Sequence, residues 1–181
     1  MALSRRGVTV WFTGLPRSGK TTLSRLLVER LRHLGVERVE LLDGDVVRRT
    51  LSADLGYSRS DRDENIRRIA AVAERHTRAG AVCVVAAVSP YAAARDAARA
   101  EIGDFVEVYC AASAAECAAR DTTGLYERAF AGELVGFTGV DDPYEPPARA
   151  ELVLDTVRET PEPLVERVLE TLVAAGYLSP A

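Results

Sequence analysis

Gly14-Leu15-Pro16-Arg17-Ser18-Gly19-Lys20-Thr21 carries the spacing G-x-x-x-x-G-K-[ST], the pattern of a phosphate cradle. Glycines let the backbone wrap a β-phosphate, successive N–H groups converge on it, and a helix starting there adds a favourable dipole. Lys20 can reach the β- and γ-phosphates, and the Thr21 hydroxyl, followed by Thr22, can ligate Mg²⁺. Pro16 removes one amide donor from the loop; Arg17 offers side-chain donors beside it. The pattern predicts an ATP or GTP site and leaves the acceptor open.

A second constellation is Asp43-Gly44-Asp45 at the end of a short apolar run. In a parallel sheet ligands sit beyond the carboxyl ends of the strands, so this acidic pair is expected beside the phosphate loop. One carboxylate there can hold Mg²⁺ through water, and the other can accept a proton from an attacking hydroxyl. Asp45 is the candidate base or hydroxyl-orienting group and the water-mediated metal ligand, with Asp43 in support. A turn that only closes a strand is the competing explanation. Arg62 and Asn65 stand three apart on a predicted helix, so both can address one ligand near its start. With Arg48 they are candidate readers of an anion and a ribose, because guanidinium forks suit oxyanions. Arg49 and Arg67 read as solvated charges, and His33 and His76 as helix-surface residues with no catalytic part.

These groups need a scaffold. Val8 to Thr13 is an apolar run rich in β-branched and aromatic types, which predicts a strand buried on both faces. Leu23, Leu26, Leu27 and Leu31 recur at helical spacing after it, and Gly35 is a natural stop. Arg38 to Leu42 is a second strand, and a long amphipathic helix is predicted over about 61–79. Ser60 with Asp63, or Asp61 with Glu64, can cap that helix. Ala81 to Val88 is the most apolar run and is expected to be the central strand. Phe105 to Cys110 and Leu152 to Leu154 complete five strands alternating with helices. That pattern predicts an α/β fold of the P-loop NTPase type, with a parallel five-stranded sheet flanked by helices. The segment from about 121 to 147 breaks the alternation with four glycines, three prolines and several aromatics, and is expected to form a mobile lid.

The chain has 181 residues, 48% of them hydrophobic and 28% charged, with net charge −4. This length fits one domain, 1–181, able to bury a core without disulfides. The acidic balance excludes nucleic acid or an anionic membrane as the main partner. Cys83, Cys110 and Cys117 form no C-x-x-C pair and read as buried thiols in a reducing cytosol, so a cytoplasmic location is expected. Met1 to Gly7 is short and polar and predicts neither signal peptide nor membrane anchor.

Several ordered segments carry a family resemblance. Leu42-Asp-Gly-Asp-Val-Val-Arg48, Asp54-Leu-Gly-Tyr-Ser58, Asp61-Arg-Asp-Glu-Asn-Ile-Arg-Arg68 and Ala86-Ala-Val-Ser-Pro-Tyr91 come first, followed by Arg120-Asp121, Gly124-Leu-Tyr126, Gly136-Phe-Thr-Gly139 and Asp142-Pro-Tyr-Glu-Pro146. Together with the phosphate loop this set resembles the adenylylsulfate kinase family from Gly14 to Thr156. The resemblance implies transfer of the γ-phosphate of MgATP to the 3′-hydroxyl of adenosine 5′-phosphosulfate (APS), giving 3′-phosphoadenylylsulfate (PAPS) for sulfate assimilation, by a cytoplasmic homodimer. It implies that Tyr57 and Phe137 stand where the family sandwiches the APS adenine, and that Ser89, Pro90 and Thr138 bind the acceptor. Arg120 is implied at the ATP site. Ser89 is also the family's phosphoserine position. No histidine lies in the matched motifs to activate it, and in-line transfer needs no covalent step, so it is expected to bind rather than to carry phosphate. Two positions depart from the family pattern, Thr123 and Glu127 replacing lysines; loss of the first charge could weaken APS binding, with Arg128 able to compensate. The alternatives are a P-loop kinase paralogue acting on a different nucleotide or small-molecule hydroxyl, and a non-catalytic nucleotide-binding module.

Overall fold

The computed structural model describes residues 6–179; of the polar N-terminal stretch read above, residues 1–5 lie outside them. Five strands, β1 (Val8–Thr13), β2 (Val39–Asp43), β3 (Val82–Ala86), β4 (Phe105–Ala111) and β5 (Leu152–Asp155), form one parallel sheet in the order β2-β3-β1-β4-β5. The expected α/β sheet is therefore present, with a different centre. β1 holds the middle, and the Ala81–Val88 run supplies its neighbour β3. Both strands are buried on both faces and paired on both edges, so hydropathy alone cannot rank them.

Alternation along β1 feeds two cores. Val8, Val10 and Phe12 meet Leu23, Leu27 and Leu31 of α1 (Lys20–His33) and Leu164, Val168 and Leu172 of α7 (Pro161–Ala174). Trp11 faces the other way, toward Ile66 and Ile69 of α3 (Arg59–Arg78) and Ala98 and Ile102 of α4 (Ala92–Ile102). Each fully buried Leu or Ile there contributes about 1.5–3 kcal/mol. The helix expected over 61–79 starts earlier, and neither expected cap is used. Ser58 caps it, its Oγ accepting from Asp61 N at 3.1 Å and donating to Asp61 Oδ2 at 2.7 Å.

Short helices α2 (Gly44–Arg49), α5 (Ala114–Ala119) and α6 (Leu125–Phe130) complete the elements. The 121–147 segment contains α6 and is packed against the phosphate loop. Leu15, Cys117 and Tyr126 form a small apolar cluster joined by Phe137, Val140 and Tyr144. All three cysteines are buried and free, as the sequence suggests; burial pushes the thiols of Cys83 and Cys110 up to about 12.

Candidate active site

A cleft of about 1160 Å³ opens where β1, β2 and β3 end, and it is walled by the phosphate loop, α2, the start of α3, the turn after β3 and the 121–147 segment. Its floor follows from the loop's backbone. Gly14 has φ 148°, and a Cβ there would stand 2.6 Å from Ser18 Oγ and 2.7 Å from the Cys110 carbonyl, so only glycine fits. Gly19 opens α1 in the left-handed region, and no side chain caps the helix, which leaves its first amides to a ligand. The Lys20 ammonium is buried and donates to the carbonyls of Gly14 at 2.9 Å and Leu15 at 2.7 Å. Desolvation lowers its pKa to about 8 against the opposing pull of nearby Asp45 and Asp43. Pro16, Gly19, Thr21, Thr22 and Arg120 line the cleft, whereas Gly14, Leu15 and Ser18 do not reach its wall. Leu15 turns into the apolar cluster and Ser18 is fully buried. Arg17 lines the cleft but its fork bonds Asp121 and Thr123.

The two acidic residues take different parts. Asp43 is 6% exposed and caps α2, its Oδ1 accepting from Asp45 N at 3.0 Å, while Arg25 Nη2 lies 3.5 Å from its Oδ2. The Asp45 carboxylate is exposed on the cleft wall and accepts no hydrogen bond among the described residues, so it can accept from a bound hydroxyl or from metal-bound water. Gly44 between them is required by close approach, since a Cβ would stand 2.9 Å from the Ala86 carbonyl. Thr21, Asp43 and Asp45 supply hard oxygen donors on one wall, which suits Mg²⁺ carried in on nucleotide phosphates. Among the described residues no group of three or more His, Cys, Asp and Glu could hold a metal by itself.

The same cleft is also lined by Arg48, Tyr57, Arg62, Asn65, Ser89, Pro90, Phe137 and Thr138. Asn65 lines the cleft and is 6% exposed, and its Oδ1 is buried without a hydrogen-bond partner, which is costly. Arg48 donates to the Gly56 carbonyl at 2.7 Å and stacks 4.9 Å from the centre of the Tyr57 ring; partial burial lowers its pKa first of all. Arg62, expected as an anion or ribose reader, lines the cleft with its guanidinium engaged by protein oxygens. Its guanidinium donates to Tyr57 O at 2.9 Å, Thr138 Oγ1 at 2.6 Å and Gly136 O, which ties α3 to the 121–147 segment. The Ser89 hydroxyl also points away from the solvent. It accepts from Trp11 Nε1 at 3.1 Å and donates to Thr13 Oγ1 at 2.9 Å.

The sequence profile of the family described as Adenylylsulphate kinase matches residues 6–155. The Adenylyl-sulfate kinase of Picosynechococcus sp. is 51% identical over 178 residues, spanning 98% of this chain and 100% of the relative. The chain belongs to the adenylylsulfate kinase family. A solved structure of the Mycobacterium tuberculosis APS kinase CysC in complex with AMPPNP and APS superposes with TM-score 0.87 at 40% identity, covering 93% of this chain and 99% of that one. A gluconokinase from Sinorhizobium meliloti, 19% identical with TM-score 0.64 over 94% of each chain, shares the fold alone.

Within this adenylylsulfate kinase fold the sequence reading missed the groups that brace the site. Thr156, Glu159 and Pro161 extend the cleft past β5, and Arg120 donates to the Thr156 carbonyl. Arg49, read as a solvated charge, lines the cleft as well as being exposed. Arg67 is exposed and pairs with Glu64. Tyr91 donates to both oxygens of Asp142, at 3.0 and 2.9 Å. Arg95 forms an ion pair with Glu107 at 2.9 Å and donates to the carbonyls of Ser89 and Glu145, each at 2.6 Å. A lone glutamate inside the apolar run Phe105–Ala111 was the available signal for that pair. No helix among the described residues is long and apolar enough to cross a membrane.

Proposed function

We propose that the whole chain, 1–181, acts as one ATP-dependent kinase domain that phosphorylates the 3′-hydroxyl of APS and yields PAPS and ADP, with the segment 121–147 as its lid. The observation that carries this reading is the sharing of one cleft by Lys20, the uncommitted Asp45 carboxylate and Asn65. A donor phosphate held by the loop and an adenylate held by the far wall would meet in it.

Roles follow from chemistry. The amides of Arg17 and of Gly19 to Thr22, with Lys20, hold the donor phosphates, and Arg120 faces the nucleotide. Thr21, and Asp45 through water, would hold Mg²⁺, which would supply charge neutralisation for the transferring group. Asp45 orients the 3′-hydroxyl and takes its proton. Asn65 and Arg48 address the acceptor, Tyr57 and Phe137 offer ring faces to its adenine, and Arg62 holds Thr138 and Gly136 over it. Stacking on each ring is worth about 1–3 kcal/mol by analogy with single-stranded nucleic acid. A closed lid excludes water, the competing phosphoryl acceptor. The protein is read as cytoplasmic, and the family resemblance favours a homodimer, which light scattering checks.

The test is ADP release from MgATP with APS, compared with adenosine nucleotides that lack the sulfate. Efficient turnover with APS alone is the expected result; equal turnover with AMP, or none with APS, removes the assignment.

A further inference from the structure

We propose that Arg17 is a positioning residue for the acceptor site: its fork fixes the base of the lid to the phosphate loop and thereby sets where Phe137 stands in the cleft. The inference deepens the APS kinase reading and rests on it. A guanidinium at the tip of a phosphate loop is expected to face phosphate. Here Arg17 Nε donates instead to Asp121 Oδ1 at 3.1 Å, and Nη2 to Thr123 Oγ1 at 2.9 Å. Its backbone lies in the left-handed region at φ 65°, rare for a residue with a Cβ and kept only where the surroundings hold it.

Asp121 is the hub of the junction. Its side chain is 2% exposed, and it also accepts from Thr123 Oγ1 at 2.6 Å, Thr123 N at 3.0 Å and Tyr126 N at 3.0 Å. Tyr126 closes the circuit, its hydroxyl donating to the Pro16 carbonyl at 2.9 Å. The same ring meets Phe137 edge-on with centroids 4.9 Å apart, and Phe137 lines the acceptor end of the cleft. Removing Arg17 leaves the Asp121 carboxylate without its counter-charge, so the lid base loosens and Phe137 with it.

The junction also accounts for Thr123. Its hydroxyl donates to Asp121 and accepts from Arg17 at once, a double part that an ammonium cannot play. A lysine at 123 would place a second cation within hydrogen-bond range of the guanidinium. Arg17 and Thr123 are therefore a matched pair, and Thr123→Lys is expected to harm acceptor binding.

The experiment uses the full chain with Arg17→Gly, Thr123→Lys and the double variant. Hydrogen exchange over residues 121–137 is read without substrate, and KM values for ATP and APS are measured separately. Glycine suits the left-handed backbone, so the fold is expected to hold. Arg17→Gly should speed exchange across 123–137 about tenfold with the sheet unchanged, and raise KM for APS about fivefold more than KM for ATP. Thr123→Lys should do the same, and the double variant should be no worse than Arg17→Gly alone. Exchange within about twofold of the unaltered chain, or single effects that simply multiply in the double variant, would overturn the proposal. Should Arg17→Gly not fold, Thr123→Val, which deletes the hydroxyl and keeps the shape, is read by the same criteria. Exchange needs no acceptor, so it decides the junction even if APS is not turned over.

Discussion

The indole Nε1 of Trp11 donates to Ser89 Oγ at 3.1 Å, across the sheet from β1 to the turn that follows β3. Ser89 Oγ donates to Thr13 Oγ1 at 2.9 Å, and Thr13 in turn donates to the Val88 carbonyl at 2.8 Å. The hydroxyl is thus a buried link that holds the turn, and the residue is 2% exposed. Ser89 lines the cleft with its hydroxyl already committed to these bonds.

The first prediction follows from that chain of bonds. Ser89→Ala strands the Trp11 N–H and should lower unfolding free energy by about 1–3 kcal/mol. Turnover should fall by less than about tenfold, because in-line transfer needs no covalent step at the serine. Urea melts and steady-state kinetics check both parts. A stoichiometric phosphoserine at Ser89 in a quenched reaction would reverse the reading.

Asp45 carries the second prediction. Its neighbour Asp43 is engaged as the cap of α2, so the uncommitted carboxylate is the one available to a hydroxyl. Asp45→Asn keeps the shape and removes the base. ATP affinity by calorimetry should stay within about threefold while kcat falls about 10²–10⁴-fold. If kcat holds and ATP affinity falls instead, Asp45 serves the donor side and not the acceptor hydroxyl.

The third concerns Lys20, the single lysine of the chain. Burial pulls its pKa from 10.5 to about 8, so the folded form releases the proton first. Between about pH 8 and 10.5 the unfolded chain binds more protons, and the folding penalty of this burial, on the order of 3 kcal/mol, is full below pH 8 and relieved as pH rises. Activity runs the opposite way: kcat/KM for ATP should decline as pH passes about 8, since the ammonium is the form that meets phosphate. One lysine ε-resonance makes the titration direct, and bound ATP should move its midpoint upward. A midpoint near the ordinary 10.5 without nucleotide refutes the shift.

What could be read from the chain was local. The phosphate loop announces itself because its glycines, Lys20 and Thr21 act within eight residues, and β1 because Val8 to Thr13 is apolar on both faces. The spacing of Arg62 and Asn65 places both on the cleft wall, as helical geometry requires. The use each side chain finds there was not legible. Arg62 bonds Gly136 and Thr138, and Arg17 bonds Asp121 and Thr123, partners brought near only by the fold. No periodicity encodes such pairings, and no propensity scale distinguishes β1 from β3 as the centre of the sheet when both are buried throughout.

The fourth prediction uses the one pair whose signal was present and unread. Arg95 and Glu107 are 3% and 7% exposed in their side chains. Breaking such a pair from one side leaves a buried charge and costs about 3–5 kcal/mol, whereas replacing both partners with apolar residues is often neutral. Glu107→Leu alone should therefore destabilise strongly, and Arg95→Met with Glu107→Leu should recover much of the loss. Activity should not recover with it. Arg95 also donates to the carbonyls of Ser89 and Glu145, and so joins the turn after β3 to the far end of the 121–147 segment; methionine offers neither carbonyl a donor. Melting temperature and KM for APS, measured on the same two variants, separate these parts. If stability and acceptor affinity return together, Arg95 supports the core alone and the 121–147 segment is held by Tyr91 and Asp142 instead.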